Sequence, residues 1–221
     1  MKHRSRWPDP NTILIRYNEQ LRLAERHLVF DAHALLAAVS KSTNRPVNAI
    51  LSFNKIAEGG SYRVFEATFD GDDSVIVRIP YPCTLPRSLG VASEVATLEY
   101  LRSKGVLVPC VLDWSASSDN AVGSEYMILS KVRGRELELT WHTMSAKERM
   151  DMVEKVVDLE RQLFQLELPA YGSIYHKTFL DSHPHLTSIA IEGNFCIGPS
   201  SEFLWWYKGR DEVQVNRGPC K

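Results

Sequence analysis

Apolar residues between Asn18 and Val39 fall at helical intervals, with Leu21, Leu28, Leu35, Leu36 and Val39 set among Ala24, Ala32 and Ala38. This spacing predicts one leading helix, which Ser40-Lys41-Ser42-Thr43-Asn44-Arg45-Pro46 then breaks. Two β-rich runs follow, Ile50 to Ala57 and Tyr62 to Phe69, separated by Glu58-Gly59-Gly60-Ser61, a tight glycine turn of the kind that joins antiparallel neighbours. After the turn Asp70-Gly71-Asp72-Asp73, the run Ser74-Val75-Ile76-Val77-Arg78-Ile79-Pro80 predicts a third strand, with Arg78 among apolar neighbours. Val91, Val95, Leu98 and Leu101 predict a helix over Ser88 to Lys104, ended by Gly105 at the C-cap. Two further strands are predicted around Val111 to Ala116 and Glu125 to Lys131, giving the order β-β-β-α-β-β.

Beyond Arg133-Gly134-Arg135 the pattern changes to helical. Ser145-Ala146-Lys147-Glu148 has the form of a capping box, and Met152, Val153, Val156, Leu159, Leu163 and Phe164 share a face behind it, opening a second, helical layer. Periodicity fades after Tyr171-Gly172. The expected organisation is therefore an N-terminal helical extension over 1–48, a β-rich lobe over 49–132 and a partial helical lobe over 133–221, an α+β fold.

Composition narrows the function classes. With 26 Lys plus Arg against 27 Asp plus Glu, no charge excess favours nucleic acid or an anionic membrane, and the 44% hydrophobic content of the 221 residues is that of a globular chain. Cys83, Cys110, Cys196 and Cys220 are widely spaced and suit a reducing, intracellular compartment. No apolar run approaches the roughly 20 residues that span a bilayer. Met1 to Trp7 is a short basic start without a hydrophobic signal core.

Three features carry candidate chemistry. Gly59, Gly60 and Ser61 form either a plain hairpin turn or one whose backbone N–H groups approach phosphates, since residues without bulky side chains leave room for the oxygens. Arg78 and Glu94 are either a strand-edge cation and a helix-surface acid, or a pair across the strand–helix contact that orients phosphates. Glu125 to Lys131 is either a core strand or a strand running into a hinge, with adenine read by backbone groups near Leu129 to Lys131. His183-Pro184-His185 has no third ligand at zinc spacing and reads as a loop. Phe203-Leu204-Trp205-Trp206-Tyr207 reads as a packing segment.

The combination Ala57-Glu58-Gly59-Gly60-x-x-x-Val64-Phe65, Val75-Ile76-Val77-Arg78-Ile79-Pro80, Ser93-Glu94-Val95-Ala96-Thr97-Leu98 and Val122-Gly123-Ser124-Glu125-Tyr126 resembles the fungal aminoglycoside-phosphotransferase-like family, in particular the altered inheritance of mitochondria protein 9 group. Tyr171-Gly172-Ser173-Ile174-Tyr175, Ile197-Gly198-Pro199 and Asn216-Arg217-Gly218-Pro219 extend the resemblance over most of the chain. It implies a protein-kinase-like fold, with a five-stranded antiparallel N-lobe holding one helix and the incomplete start of a helical C-lobe. It also implies ATP with Mg²⁺ as ligand, transfer of the γ-phosphoryl group to a small-molecule hydroxyl, and a mitochondrial or cytoplasmic location. Arg rather than Lys at position 78 matches the pattern of this group.

The residues that perform transfer in such folds have no counterpart in this chain. In H-x-D-x-x-x-x-N form the first Asp stands two residues after a His, yet positions 144, 178, 185 and 187, which follow His142, His176, His183 and His185, hold no Asp. After Lys131 the Asp residues are Asp151, Asp158, Asp181 and Asp211, none in a metal-loop pattern. The expectation is a truncated phosphotransferase, inactive as it stands, or alternatively a non-catalytic nucleotide-binding or interaction module.

Overall fold

The structure, a computed structural model, describes residues 18–71 and 73–220. The basic start at Met1 to Trp7 and Asp72 lie outside the described residues.

The predicted leading helix is two helices, α1 (Glu19–Glu25) and α2 (Ala32–Thr43). The break arises at Asp31, whose carboxylate accepts from the His33 and Ala34 N–H groups at 2.8 and 3.0 Å and so caps a new helix. The Asp31 N–H donates to Val122 O at 2.8 Å, and Leu28 and Phe30 between the helices pack on the core. The expected breaker stays helical as far as Thr43, with the Ser42 and Thr43 hydroxyls donating to Val39 O within the preceding turn. Asn44, at φ 53°, then ends it.

Five antiparallel strands follow in the predicted order: β1 (Ser52–Glu58), β2 (Tyr62–Thr68), β3 (Ser74–Pro80), β4 (Val111–Ser115) and β5 (Tyr126–Ser130), arranged β1-β2-β3-β5-β4. Helix α3 (Leu89–Ser103) connects β3 to β4. Its C-terminus closes as expected, with Gly105 at φ 79° and the Val106 N–H donating to Leu101 O at 3.0 Å. The fold is α+β, with a five-stranded antiparallel lobe that holds one helix.

Alternation along β3 decides which residues face which layer. Val75, Val77 and Ile79 point into a core shared with Leu35 and Val39 of α2, and each fully buried side chain of this size contributes about 1.5–3 kcal/mol. Ile76 and Arg78 therefore point to the opposite face, where Met127 and Leu129 of β5 meet Val91, Ala92 and Val95 of α3. A slip of one residue in the β2–β3 register, which pairs Val64 with Arg78, would drive the guanidinium into the α2 core.

The second layer departs from expectation. The capping box forms: the Glu148 N–H donates to Ser145 Oγ at 3.3 Å, and the Ser145 N–H donates to Glu148 Oε2 at 2.7 Å. Helix α5 (Ala146–Phe164), preceded by the short α4 (Leu137–Trp141), nevertheless leaves Val153, Val156, Leu159, Leu163 and Phe164 exposed. Helical periodicity specifies a face, not a partner for it. Beyond residue 171 the chain forms a small sheet rather than further helix: β6 (Ser173–His176), β7 (Ile189–Ala190) and β8 (Phe195–Gly198) in the order β6-β8-β7, with α6 (Lys177–Asp181) after β6. Tyr175 is fully buried against α3 in the same core as Leu180 and Cys196, and its hydroxyl donates to Pro199 O at 2.8 Å. β6, α6 and β8 thus share one core with α3.

Candidate functional site

Arg78 and Glu94 meet as the strand–helix geometry requires. Glu94 lies on α3 above the face of β3 that carries Arg78, and Arg78 Nη1 donates to Glu94 Oε1 in a short ion pair. The second carboxylate oxygen, Oε2, accepts the Tyr62 hydroxyl at 2.8 Å. The Arg78 guanidinium also lies over the Tyr62 ring, 4.2 Å from its centroid. One aromatic side chain therefore holds both partners of the pair. Burial, and then the adjacent Glu94 carboxylate, push the Tyr62 phenol far above its ordinary value, so it stays protonated and donates. The Arg78 side chain remains 28% accessible, leaving part of its donor fork open beyond the pair.

Tyr62 was missed in the sequence although alternation from Arg78 points to it. It stands opposite Pro80, two residues from Arg78 in register, and so shares the α3-facing side of the sheet.

The Gly59-Gly60-Ser61 turn closes tightly, with the Gly59 N–H donating to Tyr62 O at 2.9 Å. A Cβ placed on Gly60 would meet nothing within 4 Å. Ser61 O accepts from the Tyr81 N–H at 2.9 Å and from Thr84 Oγ1 at 2.7 Å, which ties the turn to the loop after β3. Gly60 and Ser61 line a cavity of about 670 Å³, which Arg22 of α1, Arg26 at its C-cap and Lys208 also line. Residues 22, 60 and 208 are far apart in the chain, and no spacing rule could have grouped them.

The residues expected to meet adenine, Leu129 and Lys131, divide. Leu129 is buried in the α3-facing core, paired on β5 between Ile76 and Val111. Lys131 lies past the strand end, 2.6 Å from Glu66, and lines a separate cavity of about 270 Å³ with Gly71, Val132, Arg133 and Gly134. The hydrogen bond from Lys131 holds the Glu66 carboxyl below its usual value. The structure thus joins Arg78 to Glu94 and places Gly60 and Ser61 on one cavity and Lys131 on another. Neither Arg78 nor Glu94 is among the residues lining the cavity at the glycine turn.

The residues present suit ATP in part: an accessible Arg, an open glycine turn and a cationic cavity beside it. Among the described residues no three His, Cys, Asp or Glu side chains gather into a metal-binding group.

No protein-family model matches the chain. A subtelomeric hrmA-associated cluster protein of Aspergillus fumigatus is 39% identical over 169 residues, covering 76% of this chain and 32% of its own length. Altered inheritance of mitochondria protein 9, mitochondrial, from Yarrowia lipolytica is 27% identical over 229 residues, covering 91% of this chain and 39% of its own length; its Saccharomyces cerevisiae counterpart is 25% identical over 241 residues. The chain is a homologue of these fungal proteins. It spans about a third to two-fifths of the length of the curated relatives it matches. Among solved structures, the streptomycin–ATP–APH(2″)-IIa ternary complex aligns over 64% of this chain and 43% of that chain, at 14% identity and a TM-score of 0.47. Among the described residues, no helix is long and apolar enough to cross a membrane.

Proposed function

We propose that the chain carries the nucleotide-binding lobe of a phosphotransferase-like protein, which binds ATP between the α3-facing side of its five-stranded sheet and the glycine turn. The observation that carries this reading is the Arg78–Glu94 pair, formed between the third strand and the following helix and held from below by Tyr62. In a phosphotransfer lobe such a pair fixes a cation where phosphate charge must be neutralised. Arg78 then binds phosphate through the donors not committed to Glu94, the glycine turn leaves room for the oxygens, and the backbone past Leu129 meets the base. Bound ATP would supply the transferable γ-phosphoryl group; this chain's residues bind and orient it.

On this reading the chain does not transfer that group by itself. No Asp stands two residues after any His beyond Lys131. The same observation favours a second reading, a non-catalytic nucleotide-binding module. The relatives' printed names support a mitochondrial setting.

Isothermal titration of the full chain with ATP and with adenosine tests the proposal. Wild type should bind both, ATP more tightly, and Arg78→Ala should weaken ATP binding about tenfold or more while leaving adenosine unaffected, the loss expected for a charge-assisted hydrogen bond. Equal ATP affinity in the two proteins removes Arg78 from the site; no binding of either ligand removes the function.

A further inference from the structure

We infer that α1, outside the five-stranded lobe, completes an oligophosphate site at the glycine turn, with Arg22, Arg26 and Lys208 receiving a phosphate chain. This rests on the reading of that turn as nucleotide-facing and extends it to residues that belong to no nucleotide-binding motif. The cavity of about 670 Å³ brings these three cations against Gly60 and Ser61, with Glu25 the one carboxylate on its wall. Glu25 is already engaged by Arg22 Nη1 at 2.8 Å, so the wall carries a net excess of positive charge.

Cations outnumber the carboxylate on this wall three to one. Ser61 O, the turn's acceptor, is doubly occupied by the Tyr81 N–H and the Thr84 hydroxyl. Two of the cations are steadied by aromatic faces: the Arg26 guanidinium lies 5.6 Å from the Tyr81 ring centroid and Lys208 Nζ 5.2 Å from that of Tyr207. Open space at Gly60 admits an oxygen-rich group where a side chain would otherwise stand. A wall with three cations and one carboxylate, itself paired with Arg22, favours an anion. The volume exceeds what one phosphate fills and suits a chain of them.

Titrations of the full chain with inorganic tripolyphosphate, ATP and adenosine separate this site from the nucleotide reading. Wild type should bind tripolyphosphate. Arg22→Gln with Lys208→Gln, both at exposed positions, should weaken tripolyphosphate and ATP about tenfold and leave adenosine unchanged. Glu25→Gln should tighten tripolyphosphate binding, a gain that misfolding cannot produce. No tripolyphosphate binding to wild type, or unchanged affinity of the double variant for both phosphate ligands, overturns the inference. Tripolyphosphate binding that depends on Arg22 and Lys208, without binding of ATP or adenosine, sustains the anion site while removing the nucleotide function.

Discussion

Tyr62 donates its hydroxyl to Glu94 Oε2 at 2.8 Å while its ring lies beneath the Arg78 guanidinium, so a single residue fixes the position of both charges. Tyr62→Phe keeps the ring and removes the donor. It should cost about 1 kcal/mol in urea denaturation, the usual net worth of one hydrogen bond. Glu94→Gln should cost about 1–2 kcal/mol because the pair, though hydrogen-bonded, is partly accessible and screened. Additive losses in the double variant would show that Tyr62 does not act through Glu94.

Glycine placement at the small sheet supports a second expectation. A Cβ on Gly172 would lie 2.3 Å from Gly198 O, a backbone atom, whereas one on Gly198 would meet Leu180 Cδ1 at 2.6 Å and Tyr175 Cδ2 at 2.9 Å, both side chains. Side chains yield more readily than a strand. Gly198→Ala should therefore cost about 1–3 kcal/mol as an overpacked core substitution. Gly172→Ala should cost more, read as a larger fall in the urea midpoint, and the reverse order would show that the β6–β8 contact is looser than the structure has it.

The five strands and α3 were legible because each has a strong local signal: alternation in β3, a capped helical stripe in α3, turn residues between β1 and β2. The Arg78–Glu94 contact followed from that order. What was illegible is tertiary. β6 and β8 hold four residues each and β7 two, too short for a period-2 pattern to stand out from loop sequence. The cut between α1 and α2 depends on one N-cap, Asp31, inside an otherwise helical stripe. The cations at the glycine turn come from three distant segments, and only folding assembles them.

The exposed apolar face of α5 gives a third prediction. Val153 and Val156 are 47% accessible each, and the helix holds no buried residue while its first turn is closed by the capping box. Val156→Gln should change the stability of this chain by no more than about 0.5 kcal/mol, as exposed positions do. Ser145→Ala should cost about 1 kcal/mol of helix stability by removing the cap. Circular dichroism during urea denaturation reads both, and a large loss from Val156→Gln would mean that this face is covered in solution.

Glu125 makes a pH-dependent prediction whose sign follows from its surroundings. Burial raises its pKa above the ordinary glutamate value, while the Ser88 N–H at 3.2 Å and the nearby Arg87 charge act in the opposite sense. The folded chain therefore binds the proton more tightly than the unfolded chain does. Its contribution to stability is fully present below the ordinary carboxylate value and is lost as pH rises through the raised folded value. Glu125→Gln removes this titration and keeps an amide oxygen to accept from Ser88. The variant should melt above wild type at pH 7, and its advantage should shrink on acidification and vanish below about pH 4, where the unfolded carboxyl is protonated as well. A melting difference constant from pH 4 to 8 would show that Glu125 titrates as an exposed carboxyl, and would detach it from the turn at Ser88 that starts α3.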